Sequence, residues 1–164
     1  MRDLLNLAGI GQDRLHLRYV SSSEGRQFAD YVTELTGIVQ KAGPLPAEDM
    51  SLPLAAVHRA LSSPALRWLL GLERQLTEKE NVFHQKLDTA AYHQVLHRTA
   101  LEEYQKALIF ETLKAAAKTV REIAAQTGLP VYTVSLRLND LERTGLSAYL
   151  DQVGNSPRFG ATAE

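Results

Sequence analysis

The sequence predicts a mainly α-helical protein with short β elements near its two ends. Apolar residues recur at helical spacing through most of the 164 residues. Residues 15–20 instead alternate with the period of a half-buried strand, and the stretch after Gly145 resembles a β-hairpin. These patterns divide the chain into a strand–helix fragment (1–43), a helical region (44–100) and a C-terminal unit (101–164).

The first block combines a short helical stub, a strand and a helix. Leu15, Leu17 and Tyr19 line one side of the predicted strand. Ser21 and Glu24 fit the S-x-x-E capping box that starts a helix. The segment Gly43–Pro46 ends this helix. Its apolar stripe is formed by Phe28, Tyr31, Val32, Leu35, Ile38 and Val39.

The predicted strand has no evident sheet of its own. A single strand cannot pair its backbone N–H and C=O groups by itself. The obvious partner within the chain is the C-terminal hairpin, more than a hundred residues away. We therefore expect Arg14–Val20 to pair with the sheet edge of another chain or of a second copy, or else to be frayed. Its partner-binding residues are then Leu15, Leu17 and Tyr19, with Ser21 and Glu24 as the cap.

The second block is predicted to be helical throughout. Helix starts are indicated at Ser51, at Ser63 followed by Pro64, and at Asp88. The helix after Asp88 contains no Gly or Pro and is expected to continue to about Ala117. The expected core residues are Trp68, Leu69, Leu72 and Leu76. The apolar residues that could pack within the monomer or against a second copy are Val95, Leu96, Leu101, Tyr104, Leu108 and Phe110.

The third block carries the clearest local signals. Thr119 and Glu122 form a second capping box, and Ile123 and Ala124 face inward. Gly128 makes a turn before a helix with Val131, Val134, Leu138 and Leu141 on one face. Gly145 stops that helix, and the segments LSAYLDQV, GNSP and RFGATA predict strand, turn and strand. Two helices, a turn, a third helix and a hairpin are the order of a winged helix-turn-helix.

Charge argues against DNA as the main partner of this unit. Residues 101–164 contain seven Lys or Arg and eight Asp or Glu, whereas phosphate contacts usually require a basic stripe. Leu136 on the outward face suits a protein contact, and Asp140 would repel phosphate. DNA binding, as a dimeric regulator, stays open as the alternative. In either case the contact residues in the recognition helix and wing would be Tyr132, Thr133, Leu136, Arg137, Asn139 and Arg158.

Composition and motifs give no support to a catalytic or metal site. The chain has no cysteine, which excludes disulfides, thiolate metal sites and cysteine-ligated iron–sulfur clusters within it. His93 and His97 share a helical face but lack a third ligand, and no phosphate-binding glycine motif or G-x-S-x-G elbow occurs. No apolar run approaches the roughly 18 residues of a bilayer span. We expect a non-enzymatic cytoplasmic protein without a membrane partner.

Residues Leu4–Pro44 resemble the C-terminal end of the delta subunit of methyl-viologen-reducing hydrogenase. The resemblance consists of a helix ending in a Gly-Ile turn, then DRLHLRYVS, then SSEGRQFADYV. It covers about a quarter of the chain. The following EKENVFHQKL segment and C-terminal unit are similar to extensions in longer relatives of that subunit.

The resemblance implies a redox complex as the setting of this chain. The family links hydrogenases or formate dehydrogenases to heterodisulfide-reductase-type complexes, and upstream cysteines hold its cluster. Those cysteines are absent here, so cluster binding is not carried over to any residue. Iron–sulfur clusters and flavin are expected only in partner subunits. The resemblance implies an interaction or scaffold subunit, or the C-terminal part of one, that binds redox-complex subunits or a second copy of itself.

Overall fold

A computed structural model of the protein describes residues 1–11, 14–45 and 50–162. These residues are mainly helical, as the sequence predicts, with a small antiparallel sheet. The helices they form are α1 (Arg2–Leu7), α2 (Gly25–Ala42), α3 (Ser51–Leu61), α4 (Pro64–Thr77), α5 (Thr89–Ala115), α6 (Val120–Thr127) and α7 (Val131–Arg143). The strands are β1 (Lys118–Thr119), β2 (Ser147–Val153) and β3 (Ser156–Ala161).

The helix starts in the middle of the chain follow the predicted signals. Ser63 Oγ accepts the N–H of Leu66 at 3.5 Å, with Pro64 as the first residue of α4. Asp88 Oδ2 accepts the N–H of Ala91 at 3.0 Å and starts α5. Each cap satisfies a backbone donor that has no partner inside its helix. Helix α5 ends at Ala115, two residues before the predicted end at Ala117.

A first apolar core joins α1, α3 and α4 to residues 100–108 in the middle of α5. Tyr92 is enclosed, and its hydroxyl donates to the Leu69 carbonyl at 3.1 Å, which ties α5 to α4. The prediction for Trp68 is wrong, because its side chain is exposed and Leu66 is buried in its place. Leu69, Leu72 and Leu76 are half-buried. The buried residues of this core are Leu4, Ala8, Ile10, Ala56, Val57, Ala60, Leu66, Ala100, Tyr104, Ala107 and Leu108.

A second core lies between the C-terminal half of α5, α6, α7 and the sheet. The predicted capping box of Thr119 and Glu122 is complete, and Gly128 ends α6 in the left-handed conformation at φ 71°. Ile123 faces inward as predicted, whereas Val131 is exposed. The buried residues of this core are Ile109, Phe110, Leu113, Ile123, Val134, Leu138 and Leu141. Tyr104, Leu108 and Phe110 therefore pack within the monomer.

The sheet has the order β1-β3-β2 with both pairs antiparallel. Lys118 lies opposite Phe159, and Ser147 lies opposite Ala161. The pairing of β2 with β3 is irregular between Tyr149 and Asp151. The predicted hairpin is therefore present, although β3 begins within the predicted turn. Ala163, the last residue of the predicted strand, lies outside the described residues.

Helix α5 contributes to both cores. The predicted boundary between residues 100 and 101 falls in the middle of this helix. Arg59 of α3 strengthens the junction, because its Nε lies 2.8 Å from Glu111 Oε1 and its guanidinium stacks 3.7 Å from the Phe110 ring centroid. The described helices include none that is long and apolar enough to cross a membrane.

Within the single chain, residues 15–20 form no strand, and their pairing with another chain stays a prediction. Residues 15–20 belong to none of the described strands, and the sheet consists of β1, β3 and β2 alone. No strand edge among the described residues is paired with this segment, so its alternating pattern has no ladder to join. The predicted stop of the following helix is observed, since α2 ends at Ala42 and Gly43 follows at φ 65°. Pro46, the last residue of the predicted stop, lies outside the described residues.

Candidate interaction surfaces

Residues 14–20 lie alongside α2 and run in the opposite direction. Arg14 donates from Nη1 to the Gly43 carbonyl at 2.9 Å and from Nη2 to the Ala42 carbonyl at 2.8 Å. Further along the segment, Arg18 Nη2 lies 3.2 Å from Glu34 Oε1. The Arg18 guanidinium also lies 5.6 Å from the Tyr31 ring centroid. These contacts hold the segment against the helix, and the planar fork of the Arg14 guanidinium suits the two carbonyls at the C-terminal end of α2.

The segment keeps a two-residue alternation although it is not a strand. His16, Arg18 and Val20 border an open groove of about 180 Å³ against α2. Leu17 and Tyr19 are exposed, and Tyr19 retains 85% of its accessible surface. The predicted partner-binding side chains at positions 17 and 19 therefore point to solvent. Leu15 is half-buried, and its carbonyl accepts from Arg2 Nε at 3.1 Å.

Helix α2 carries an apolar face that is only partly covered, since Phe28, Val32 and Leu35 border the groove shared with residues 16–20. None of its residues is buried. The α2 face, as we name it, consists of Phe28, Val32, Leu35 and Val39, whose side chains retain between 39% and 58% of their accessible surface. A stripe of this kind normally packs on a core. Here it contributes to neither of the two apolar cores.

The predicted cap of α2 forms only in part. Glu24 Oε2 accepts the N–H of Ser21 at 2.7 Å, as a capping box requires. The helix begins at Gly25, however, with Glu24 as its N-cap residue and no side-chain cap. Ser21 Oγ lies 3.1 Å from Ser23 Oγ instead of capping a helix N–H. The Ser21–Glu24 contact thus shapes the turn that leads into α2.

The outward side of α7 is a second exposed surface, which combines aromatic, aliphatic and polar side chains. Tyr132 retains 78% of its accessible surface, and Leu136 is also exposed, as the sequence predicts. Asn139 is exposed and Thr133 is half-buried. This mixture of exposed side chains is suited to contact with another macromolecule.

The two arginines predicted to contact a partner are held by acidic and amide groups of the chain. Arg137 lies 3.2 Å from Glu102 and 3.0 Å from Asp140, and its Nε donates to Gln105 at 3.0 Å. Its side chain is only 13% exposed. Arg158 lies 3.4 Å from Asp151 and donates to the Ala117 carbonyl at 3.3 Å. Helical spacing along α7 predicts an outward position for Arg137. That spacing gives no information about the neighbouring helix α5, whose Glu102 and Gln105 bind the guanidinium.

Ion pairs neutralise most of the basic residues in the C-terminal unit. Of its seven Lys and Arg residues, four lie within 4.0 Å of a carboxylate: Lys106, Lys114, Arg137 and Arg158. Among the described residues, those without such a pair are Lys118, Arg121 and Arg143. The local charge therefore does not form the dense basic stripe that is typical of phosphate binding.

The histidine pair on α5 does not converge with other ligands. His93 and His97 are both exposed, and His97 Nδ1 lies 3.5 Å from Asp3 Oδ2 of α1. Within the described ranges, no three His, Asp or Glu side chains are grouped so that they could hold a metal ion.

No protein-family model, curated protein or solved structure matches this chain.

Proposed function

We propose that this chain is a non-catalytic interaction subunit, or the C-terminal part of such a subunit, and that residues 14–42 dock on a partner protein. The observation that carries the proposal is the α2 face, an apolar stripe that no core of the chain covers. Burying apolar surface stabilises an association by roughly 25 cal/mol per Å² before the costs of binding. A partner that covers this stripe would supply the core that α2 lacks.

The neighbouring segment supports a sheet edge as the partner surface. Arg14 and Arg18 hold residues 14–20 along α2, and Leu17 and Tyr19 are exposed outside the groove. A partner strand that pairs with this segment would satisfy its backbone groups and cover these two side chains. Helix α2 would then lie on one face of the completed sheet, as helices do in α/β proteins.

The resemblance of Leu4–Pro44 to the hydrogenase delta subunit points to the class of partner. We assign the chain to a hydrogenase or heterodisulfide-reductase-type electron-transfer complex. Its iron–sulfur clusters and flavin would belong to the partner subunits, since this chain has no cysteine. A second copy of the chain is the competing occupant of the α2 face.

We assign the C-terminal unit to the winged helix-turn-helix class on its element order. Helices α5, α6 and α7 are followed by the β2–β3 hairpin, and β1 precedes α6 and pairs with β3. Its exposed Tyr132 and Leu136, together with the ion-paired Arg137, favour a protein contact over a phosphate contact. In this assignment α7 and the hairpin form a second protein-binding surface.

Co-purification from the native organism tests the proposal. The tagged full chain should recover iron–sulfur or flavin subunits, identified by mass spectrometry and by their visible absorption. The variant Val32→Asp, which places a charge on the α2 face, should lose them. The matched control Thr33→Asp places the same charge outside this stripe and should retain them. Recovery of only a free monomer or a homodimer would contradict the proposal.

DNA binding as a dimeric regulator is the second candidate. It is favoured by the same element order and by the exposure of Tyr132 and Asn139 on α7. A fluorescence titration with labelled duplex DNA over a range of salt concentrations separates the two functions. Phosphate contacts would make log affinity fall with log salt at a slope of about −0.9 per contact. Absence of binding at low salt would exclude this candidate.

A further inference from the structure

A cleft of about 530 Å³ opens between the helical region and the C-terminal unit. Its walls come from α1, α3, α5, α6 and the α6–α7 turn. The lining residues are Leu7, Ala8, Gly9, Leu52, Pro53, Leu101, Tyr104, Gln105, Leu108, Gln126, Thr127 and Leu129. Small-molecule sites typically have volumes of about 300–1,000 Å³ and mainly apolar walls. The cleft therefore has the size and surface of a small-molecule site.

The cleft is mainly apolar, and the described side chains that line it carry no charge at neutral pH. None of its lining side chains is ionisable except the phenol of Tyr104. A charged ligand would lose hydration there without gaining a counter-ion in the lining. The polar side chains of the lining are Tyr104 and Gln105 on α5 and Gln126 and Thr127 on α6. Gln105 accepts from Arg137 through its Oε1, which leaves its amide N–H groups to donate. The lining therefore favours a neutral ligand.

Tyr104 supplies a buried polar group that points to a ligand. The residue is only 5% exposed, and its hydroxyl has no hydrogen-bond partner among the described residues. Among the described residues, the fully enclosed polar side-chain atoms without a partner are Thr112 Oγ1 and Ser147 Oγ. The Tyr104 hydroxyl does not belong to this set, so it remains accessible from the cleft that Tyr104 lines. The enclosed Tyr92, in contrast, donates its hydroxyl to Leu69. The Tyr104 hydroxyl therefore has a free donor that faces the cleft and can be satisfied by solvent or by a ligand.

Desolvation raises the pKa of Tyr104 to about 12. The phenol therefore stays protonated at neutral pH and can donate a hydrogen bond. A carbonyl or hydroxyl oxygen on a ligand would accept it.

We propose that this cleft binds a small, uncharged and mainly apolar molecule whose carbonyl or hydroxyl oxygen accepts a hydrogen bond from Tyr104. Leu52, Leu101, Leu108 and Leu129 would cover its apolar body. The site is distinct from the α2 face and does not depend on the proposed function. Its ligand would contact both α3 of the helical region and the α6–α7 turn.

The neutral fluorescent dye Nile red, which has an apolar ring system and a carbonyl oxygen, is a suitable probe. We expect saturable binding of one dye per full-length chain, with brighter and blue-shifted emission. Tyr104→Phe keeps the ring but removes the donor and should weaken binding about fivefold, as expected for one hydrogen bond. The matched control Tyr132→Phe makes the same change on the exposed face of α7 and should have no effect.

Two blocking variants locate the dye. Leu101→Trp fills the cleft from α5, and Gln126→Trp narrows it from α6. Because Gln126 is exposed, the Gln126→Trp variant should fold normally. Both should abolish dye binding, with folding checked by circular dichroism, whereas Phe28→Ser on the α2 face should leave it unchanged. Absence of saturable binding, retention of binding in Gln126→Trp, or its loss in Phe28→Ser would overturn the proposal. A change in oligomeric state caused by Gln126→Trp would instead identify the cleft as an interface between copies and would also overturn it.

Discussion

At the scale of single residues, ion pairs decide which charged side chains are available to a partner. Arg137 occupies a position that helical spacing assigns to a contact surface. Its guanidinium instead joins α7 to α5 through Glu102 and Gln105 and lies against Asp140 within α7. Such a planar group with several donors is well suited to a junction of this kind. The role of Arg137 in the monomer is therefore structural.

Replacing Arg137 should lower the stability of the protein. We expect Arg137→Ala to reduce the free energy of unfolding by about 1–2 kcal/mol, because three hydrogen-bonded or ion-paired groups lose their partner. Arg143→Ala, at an exposed position of the same helix, is the control and should change it by no more than about 0.5 kcal/mol. Urea denaturation followed by circular dichroism measures both. Equal effects of the two variants would contradict the structural role.

Glu111 makes a pH-dependent contribution at the junction of α3 and α5. Burial alone would raise the pKa of its carboxyl, but hydrogen bonds and charge from Arg59 and Lys114 outweigh burial and hold the pKa below the ordinary value of 4.5. A carboxyl with a lowered folded pKa stabilises the protein above its unfolded pKa and loses this contribution as the pH falls through the folded value. The stabilisation should thus be complete near neutral pH and disappear below pH 4.5.

The variant Glu111→Gln should separate this contribution from general acid denaturation. At pH 7 we expect it to lower the free energy of unfolding by about 1 kcal/mol. The difference from the unmodified protein should shrink as the pH is lowered below 4.5. Denaturant titrations at several pH values provide the measurement, with Glu142→Gln at an exposed position as the control. A difference that is constant with pH would show that the carboxyl charge is not the cause.

At the scale of elements, helix ends follow local chemistry, whereas helix environment depends on packing. Thr119 and Glu122 cap α6 as the capping box predicts, and Gly128 ends that helix at positive φ. Helix α2 also ends at a glycine with positive φ, yet none of its residues is buried. Two helices with regular apolar stripes can therefore have quite different environments. The difference lies in what the rest of the chain offers to pack against them.

Replacing Gly128 and Gly71 with alanine should change the free energy of unfolding in opposite directions. Gly128→Ala should lower the free energy of unfolding by about 1 kcal/mol, because a β-carbon is disfavoured at φ 71°. Gly71→Ala lies inside α4 with open space around the added carbon and should raise stability by about 0.5–1 kcal/mol. Thermal denaturation of both variants gives the comparison. A stabilising effect at position 128 would be inconsistent with the left-handed end of α6.

At the scale of the whole molecule, α5 connects two cores and residues 14–42 stand outside both. Ala107 and Leu108 belong to the first core, and Ile109 and Phe110 belong to the second. Because adjacent residues on different faces of one helix serve the two cores, the region from α3 to β3 should unfold as one cooperative unit. The packing of α2 contributes little to that unit, since it buries none of its residues.

Hydrogen–deuterium exchange should show this division directly. We expect backbone amides in the middle of α2 to exchange at least about a hundredfold faster than those near Ile109 in α5, because local opening of α2 exposes little apolar surface. Mass spectrometry of peptic fragments resolves the two helices. Addition of a partner that covers the α2 face should slow exchange in α2 selectively. Equal protection of both helices in the isolated chain would contradict the division.

The sequence by itself determined the ends of several helices in this protein. The predicted helix starts at Ser63 and Asp88, the Thr119–Glu122 capping box and the turn at Gly128 are all observed. Each depends on hydrogen bonds or backbone angles within a few neighbouring residues, so a short stretch of sequence contains all the information required.

The tertiary structure alone decided burial, pairing and the cleft. It buries Leu66 and exposes Trp68, pairs Arg137 with α5, and leaves residues 15–20 without a strand partner. The cleft beside Tyr104 draws its walls from five parts of the fold and has no local sequence signal. These features depend on contacts between residues far apart in the chain. The energy of each feature depends on which surfaces of the fold come into contact. The periodicity of residues along one helix does not contain that information.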